Sequence, residues 1–423
     1  MSLQGLYYLF RFYAQNVPLL YELPLFVKNS VALSDRLNGE VKPFSITADK
    51  KVLNTFNDAY DQLKVSIRDA NSQSSASGLQ FQTMLVLFFA LRFFCCVHAF
   101  VWPHDLLTTL SLCALQFVFM PYSLFISLAG IIYLSPDMFV TYLILYKPLK
   151  IVCEWVFPQS ILDMTTLPID YTFITAFFVV DFLVCLVMTT FWIGTAQGRP
   201  AATTSKSRIL KSVVYGFLNC KTYFLILLLH CRGYGLKIHG MVWLVDMLLG
   251  LSRRSAHFVS TRFSTCPGLL FYMQHRLAHL PGVYLQAHKA HHFLHDATAF
   301  DAHIYGSGAP EEFFTLAFES LTGCLLGYCP PSLTYNVLSA SLANKQVHTR
   351  AEKDAGGWNG HVDHHTTHDK NLGPSLPFSL LDMYFNTAVH NQQDIWEGKW
   401  KIEKITTSDY VIFNFTPIVH QQQ

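Results

Sequence analysis

The sequence is short of charge. Asp, Glu, Lys and Arg make up 14% of its 423 residues and hydrophobic residues 51%, where a soluble domain carries about 25% charged residues. The two signs nearly cancel, 30 basic against 28 acidic, so a net charge of +2 offers no field to attract nucleic acid. The ten cysteines form no CxxC pair, and their spacing does not describe a secreted disulfide framework. Cys95, Cys96, Cys113 and Cys185 lie inside apolar runs, where a thiol behaves as a small hydrophobe. No HExxH is present, which excludes the zincin arrangement, and no GxGxxG loop or haem-binding segment supplies a redox cofactor of the chain's own. The N-terminal stretch also lacks the basic flank and small-residue cleavage site of a signal peptide. It is apolar and aromatic but interrupted by Arg11, Pro18, Glu22 and Pro24, so residues 1–33 are expected to lie along a membrane interface.

With so few charges, long apolar runs dominate what remains. Residues 34–80 form a polar interlude, from Asp35 and Arg36 to the Ser-rich linker at 71–78, and carry no recognisable chemistry. Apolar runs follow at Met84 to Trp102, Thr108 to Leu134, Phe173 to Ile193, Val213 to Leu229 and, more weakly, Met241 to Leu251. A membrane crossing takes about 20 such residues, so residues 81–255 are expected to hold transmembrane helices. A further apolar stretch, 313–343, is broken by Pro330-Pro331 and is expected to form a helical hairpin. Arg199, Lys206, Arg208 and Lys211 fill one loop without an acid, so that loop and everything from Arg253 onward apart from the hairpin are expected to face the cytosol. The resulting expectation is an all-α integral membrane bundle with a cytosolic helical cap at 256–400 and a C-terminal tail at 401–423.

The chemistry is concentrated in that cap. Twelve of the 19 histidines fall between His275 and His368. Three clusters stand out: His275-x-x-x-His279, His288-x-x-His291-His292 and His361-x-x-His364-His365. Residues three and four apart share one face of a helix, so each cluster aims two or three imidazoles in one direction. Imidazole suits Fe, Zn, Cu and Ni. Eight clustered histidines oversupply one metal and serve two. A structural zinc site usually includes cysteine, and a hydrolytic zinc needs about three protein ligands, so iron is favoured. His348 is expected to join the ligands, and His303 is a further candidate. His295, His368 and Asp363 are read first as second-layer or surface groups. The isolated His98, His104, His230, His239, His257, His390 and His420 are read as structural.

These clusters carry a family resemblance. The stretch from Phe271 to Ala388 resembles the fatty acid hydroxylase/sterol desaturase superfamily: an aromatic entry, Phe271-Tyr272-Met273-Gln274, before the first box; His288-Lys289-Ala290-His291-His292 as an HKxHH box; and His361-Val362-Asp363-His364-His365 followed by Asn371-Leu372-Gly373 and Leu381-Asp382-Met383-Tyr384-Phe385-Asn386-Thr387. The sequence departs from the family pattern at Leu372 and Leu381, where aromatics are usual, and at Asn386, where glycine is usual. The resemblance implies a four-helix transmembrane bundle whose cap holds two Fe ions on His275, His279, His288, His291, His292, His361, His364 and His365, with His348 as the family's lone histidine before the third box. It further implies O2-dependent hydroxylation or desaturation of a membrane lipid, a sterol or an acyl chain, in lipid biosynthesis. Electrons would come from NAD(P)H through cytochrome b5 or a membrane reductase, and the protein would sit as a multi-pass component of the endoplasmic reticulum membrane with its site facing the cytosol. The competing reading is a membrane metal-binding or metal-transport protein without oxidase activity, for which Asp181 and Asp246 are the only intramembrane carboxylates.

Overall fold

The computed structural model describes residues 3–20, 42–73, 78–126, 145–187, 205–216, 221–250, 267–289, 291–292, 363–365, 367–373, 380–389, 394–396 and 400–418, with residues 22, 33, 36, 37 and 39. Its elements run α1 (Leu3–Leu20), β1 (Phe44–Asp49), α2 (Lys50–Gln73), α3 (Gly78–Val101), α4 (Leu106–Phe119), α5 (Lys147–Val156), α6 (Gln159–Met164) and β2 (Thr166–Pro168). They continue with α7 (Tyr171–Val187), α8 (Lys206–Gly216), α9 (Thr222–Gly233), β3 (Lys237–His239), α10 (Gly240–Leu249), α11 (Pro267–Ala278), α12 (Val283–Ala287), α13 (Leu380–Tyr384), β4 (Asp394–Trp396), β5 (Trp400–Thr406) and β6 (Tyr410–Pro417). The chain divides into two units. One is built from residues 1–75, 260–284 and 367–423, the other from 76–259 and 285–366.

The first unit contains a four-stranded sheet in the order β1-β6-β5-β4, with β1 and β6 antiparallel and Phe44 opposite Phe415. Residues 401–423, expected as a tail, thus supply most of two strands. The strands read with period two, as half-buried strands must: Ile46 and Ala48 on β1, Trp400 and Ile402 on β5, and Val411, Phe413 and Phe415 on β6 are all buried. In the same unit α2 buries Val52, Leu53, Phe56, Leu63, Ile67 and Ala70, the i, i+3, i+4 spacing of a helix with one apolar face. The segment expected to be a polar interlude is therefore a core helix, whose charged face had masked its apolar stripe.

Among its described residues the second unit is mostly helical, with the β2–β3 pair as its sheet. Cys95, Cys113, Tyr223, Ile226, Leu227 and Leu229 form its largest core, with both cysteines packed as apolar groups. Arg92 is buried in α3, its guanidinium donating to Tyr223 Oη at 2.9 Å and lying over the Phe88 and Tyr223 rings. Asp181, buried on α7, pairs with Lys221. His98 and His230 both meet Thr109 Oγ1 at 2.9 Å, in keeping with structural roles.

Two expectations are corrected by this architecture. The fold is mostly helical but not all-α, because it contains two sheets. Among the described residues no helix is long and apolar enough to cross a membrane, so a multi-pass protein of the endoplasmic reticulum membrane with a cytosolic site is not supported. Two of the apolar runs meet a backbone break that hydropathy does not register. Within the run from Thr108, α4 ends at Phe119 and Met120 caps it with non-helical backbone before helical residues resume at Pro121, because the residue preceding a proline is pushed out of the α region. Met241 to Leu251 yields a ten-residue helix closed by Gly250 at φ 59°, a left-handed cap that glycine adopts without strain. The 24-residue α3 opens on Gln80, Gln82 and Thr83 and carries Arg92 and His98 within it. Large apolar side chains nonetheless stay exposed on α3, among them Phe93, Phe94 and Phe100.

Candidate metal centre

The first histidine cluster lies in the first unit, on α11. Contacts at Tyr272 and Arg276 hold this helix. The Tyr272 ring stacks on Phe385 at 5.1 Å, and its hydroxyl lies 3.0 Å from Thr387 Oγ1. Arg276 donates to Asn57 Oδ1 at 3.1 Å and lies over the Tyr60 ring at 4.2 Å, while Tyr60 Oη donates to the Arg276 carbonyl at 3.1 Å. The face of α2 toward α11 is thus a positioning surface, a role that composition alone did not suggest. So anchored, α11 presents His275, with His279 in the turn just past its end and the two ring centroids 5.2 Å apart.

His275 is 6% exposed. Its Nδ1 is 2.8 Å from the Leu372 carbonyl. A carbonyl only accepts, so Nδ1 carries the proton and Nε2 the lone pair. Burial pushes the His275 pKa down to about 4, against the opposing pull of the Leu372 carbonyl. The ring is therefore neutral at neutral pH, the form in which imidazole binds a metal. His279 stacks on Tyr284 at 5.3 Å, and Tyr284 in turn lies 6.3 Å from His368.

The second unit gathers five imidazoles. His291 N and His292 N both bond to the His288 carbonyl, at 3.0 and 3.2 Å. That single helical turn puts all three side chains of the second box on one side, as their spacing predicts. His364 and His365 meet them from the third box. His364 Nε2 lies 3.0 Å from His292 Nε2, and His365 Nε2 lies 3.0 Å from His291 Nε2. Ligand nitrogens of His288, His292 and His364 lie within 4.8 Å of one another, and so do those of His291, His292 and His365. His292 is common to the two sets. His292, His364 and His365 are almost fully buried, and His288 is 9% exposed.

These separations fit a metal. Two nitrogens about 2.1 Å from one ion and at right angles to each other stand about 3.0 Å apart, the spacing seen for both cross-box pairs. The donors are all nitrogen, and burial of so many imidazoles without carboxylates or thiolates suits a transition metal over calcium or magnesium. A histidine cluster that can hold a metal ion is therefore present. Asp363 is half-buried beside His364. His295, His303, His348, His361 and the 313–343 hairpin lie outside the described residues.

Two residues in the segment that trails the third cluster have identifiable backbone roles. Asn386 has φ 59°, a left-handed conformation that glycine favours and asparagine tolerates. Leu372 acts through its backbone, its N–H bonding to Asp382 and its carbonyl accepting from His275, so no aromatic side chain is required for either contact. Asp382 itself went unassigned in the sequence. It is 2% exposed and accepts hydrogen bonds from Leu372 N, Gly373 N and Thr387 Oγ1 at 2.7, 2.8 and 2.7 Å. The available signal was an acid amid apolar residues in the motif that trails the third box.

In comparison with known proteins, the chain matches no family model, no curated protein and no solved structure.

Proposed function

We propose that this protein is an O2-dependent di-iron oxidoreductase that hydroxylates or desaturates a lipid, with a sterol or a fatty acyl chain as the first substrates to test. The observation that carries the reading is the pair of cross-box contacts, His364 to His292 and His365 to His291, each 3.0 Å between Nε2 atoms. Two such contacts side by side suit two ions better than one. Bound iron would supply the activation of O2 needed to attack an unactivated C–H bond. The protein's own part is to hold and to shield. His288, His292 and His364 would serve one ion and His291 and His365 the other, all from largely buried positions that limit access of water. The family resemblance adds His275, His279 and His361 to these ligands, with His348 as a further one.

No dinucleotide-binding loop is evident in the sequence, so electrons would come from NAD(P)H through a separate donor such as cytochrome b5 or a reductase. The sequence resemblance, not the fold, supplies the substrate class.

The test is metal content followed by product analysis. Protein purified and reconstituted with Fe(II) is expected to hold about two irons per chain, and His292→Ala and His364→Ala are expected to lower that number. With NADPH, a reductase, cytochrome b5 and a lipid extract, O2 uptake should accompany new hydroxylated or desaturated lipids in the mass spectrum. Iron bound without O2 uptake would overturn the oxidoreductase reading in favour of a metal-binding protein. Iron content unaffected by either substitution would overturn the site itself.

A further inference from the structure

The loop 371–373 joins His275 to a buried carboxylate through a single peptide group. Asp382 grips the loop with both oxygens: Oδ1 accepts from Leu372 N at 2.7 Å and Oδ2 from Gly373 N at 2.8 Å. The Gly373 N–H and the Leu372 carbonyl belong to the same planar peptide and point to opposite sides of it. One end of that peptide is thus fixed by the carboxylate, and the other accepts the His275 Nδ1 proton at 2.8 Å. The loop is clamped on either side as well. Asn371 N donates to the Thr387 carbonyl at 2.7 Å, and Val389 N donates to Asn371 Oδ1 at 3.0 Å. A carboxylate pulling on the N–H end also polarises the peptide and strengthens its carbonyl as an acceptor.

We propose that Asp382 is a positioning residue for the metal centre: by fixing the peptide between Leu372 and Gly373, it holds His275 in the Nδ1–H tautomer and so leaves Nε2 as the nitrogen that binds metal. Histidine ligands commonly bond through their second ring nitrogen to a carboxylate or a carbonyl. In this loop the two are joined in series, and Asp382 acts on the ring without touching it. The proposal rests on the di-iron reading for the role of the metal, while the tautomer it specifies is a property of the chain itself.

The experiment uses the full chain and two readouts. In metal-free protein carrying 15N-histidine, long-range proton–nitrogen spectra report the tautomer of His275, assigned by comparison with His275→Gln. Wild type is expected to show protonated Nδ1, and Asp382→Asn a mixture of tautomers or exchange broadening. In the second readout, anaerobic titration with Fe(II), and with Co(II) followed by its visible absorption, is expected to show affinity reduced roughly 10- to 100-fold in Asp382→Asn. Thr387→Val removes one donor to Asp382 but neither peptide contact. It is expected to keep the tautomer and lose no more than a few-fold in affinity, whereas Asp382→Glu, which keeps the charge but displaces both oxygens from the peptide, is expected to mix the tautomers and is read in the same two ways should Asp382→Asn not fold. An unchanged tautomer together with unchanged Fe(II) affinity in Asp382→Asn overturns the proposal. Wild type that binds neither metal overturns the di-iron reading instead, while the tautomer comparison still decides what Asp382 does.

Discussion

Asp382 sets two forces against each other, and the balance is measurable as pH-dependent stability. Burial pushes its carboxyl from the ordinary 3.8 up to about 6, and the hydrogen bonds from Thr387, Gly373 and Leu372 oppose that rise without cancelling it. The folded protein therefore holds this proton more tightly than the unfolded chain does. Stability from this group is fully present below about pH 4 and is lost as pH rises through about 6. The interval between 3.8 and about 6 corresponds to about 3 kcal/mol. Asparagine cannot ionise, so Asp382→Asn removes the dependence and leaves the contributions of the histidines in place. Denaturant unfolding of metal-free wild type and Asp382→Asn, measured at half-unit steps from pH 4 to 7.5, gives the difference in stability at each pH. That difference is expected to move against the wild type by about 2.5 kcal/mol on going from pH 4 to pH 7 and to flatten above pH 7. A flat difference would mean that the carboxyl titrates at its ordinary value. A difference moving the other way would refute a raised pKa outright, because the three donated hydrogen bonds would then outweigh desolvation.

Two packing tests address the units separately. Trp400 is fully buried, meets the Phe44 ring edge-on at 5.4 Å and donates from Nε1 to the Leu37 carbonyl at 3.0 Å. Trp400→Ala is expected to cost about 3–5 kcal/mol in urea unfolding, and a loss under about 1 kcal/mol would show that the sheet does not depend on it. Asp181 is 5% exposed and pairs with Lys221, so Asp181→Asn strands a largely buried cation and is expected to cost about 3–5 kcal/mol. Asp181→Leu combined with Lys221→Met should recover most of that loss in the same assay, and failure to recover it would assign the cost to packing rather than charge.

How far the sequence carried depends on the range of the interaction involved. The second box was legible because helical spacing is local: His288, His291 and His292 share a side through bonds to one carbonyl only three and four residues away. The apolar runs misled because hydropathy registers composition, while Pro121 and Gly250 break the backbone without lowering it much. The stripe on α2 was hidden by its charged face, and the C-terminal strands by their distance from β1. Phe44 pairs with Phe415 across most of the chain, and no short-range pattern announces such a partner.

What the amino-acid sequence determined by itself is the donor set: imidazoles in helical register, with no cysteine among them, and hence the class of metal they suit. What only the tertiary structure decided is how those donors are held. His364 and His365 come within 3.0 Å of ring nitrogens in a box more than 70 residues away, and Asp382 reaches His275 through a peptide that neither residue adjoins in sequence. The physical reason is that spacing along a helix follows from backbone geometry alone, whereas the partner of a buried hydrogen bond is settled only when the chain has closed around it and water can no longer serve in its place.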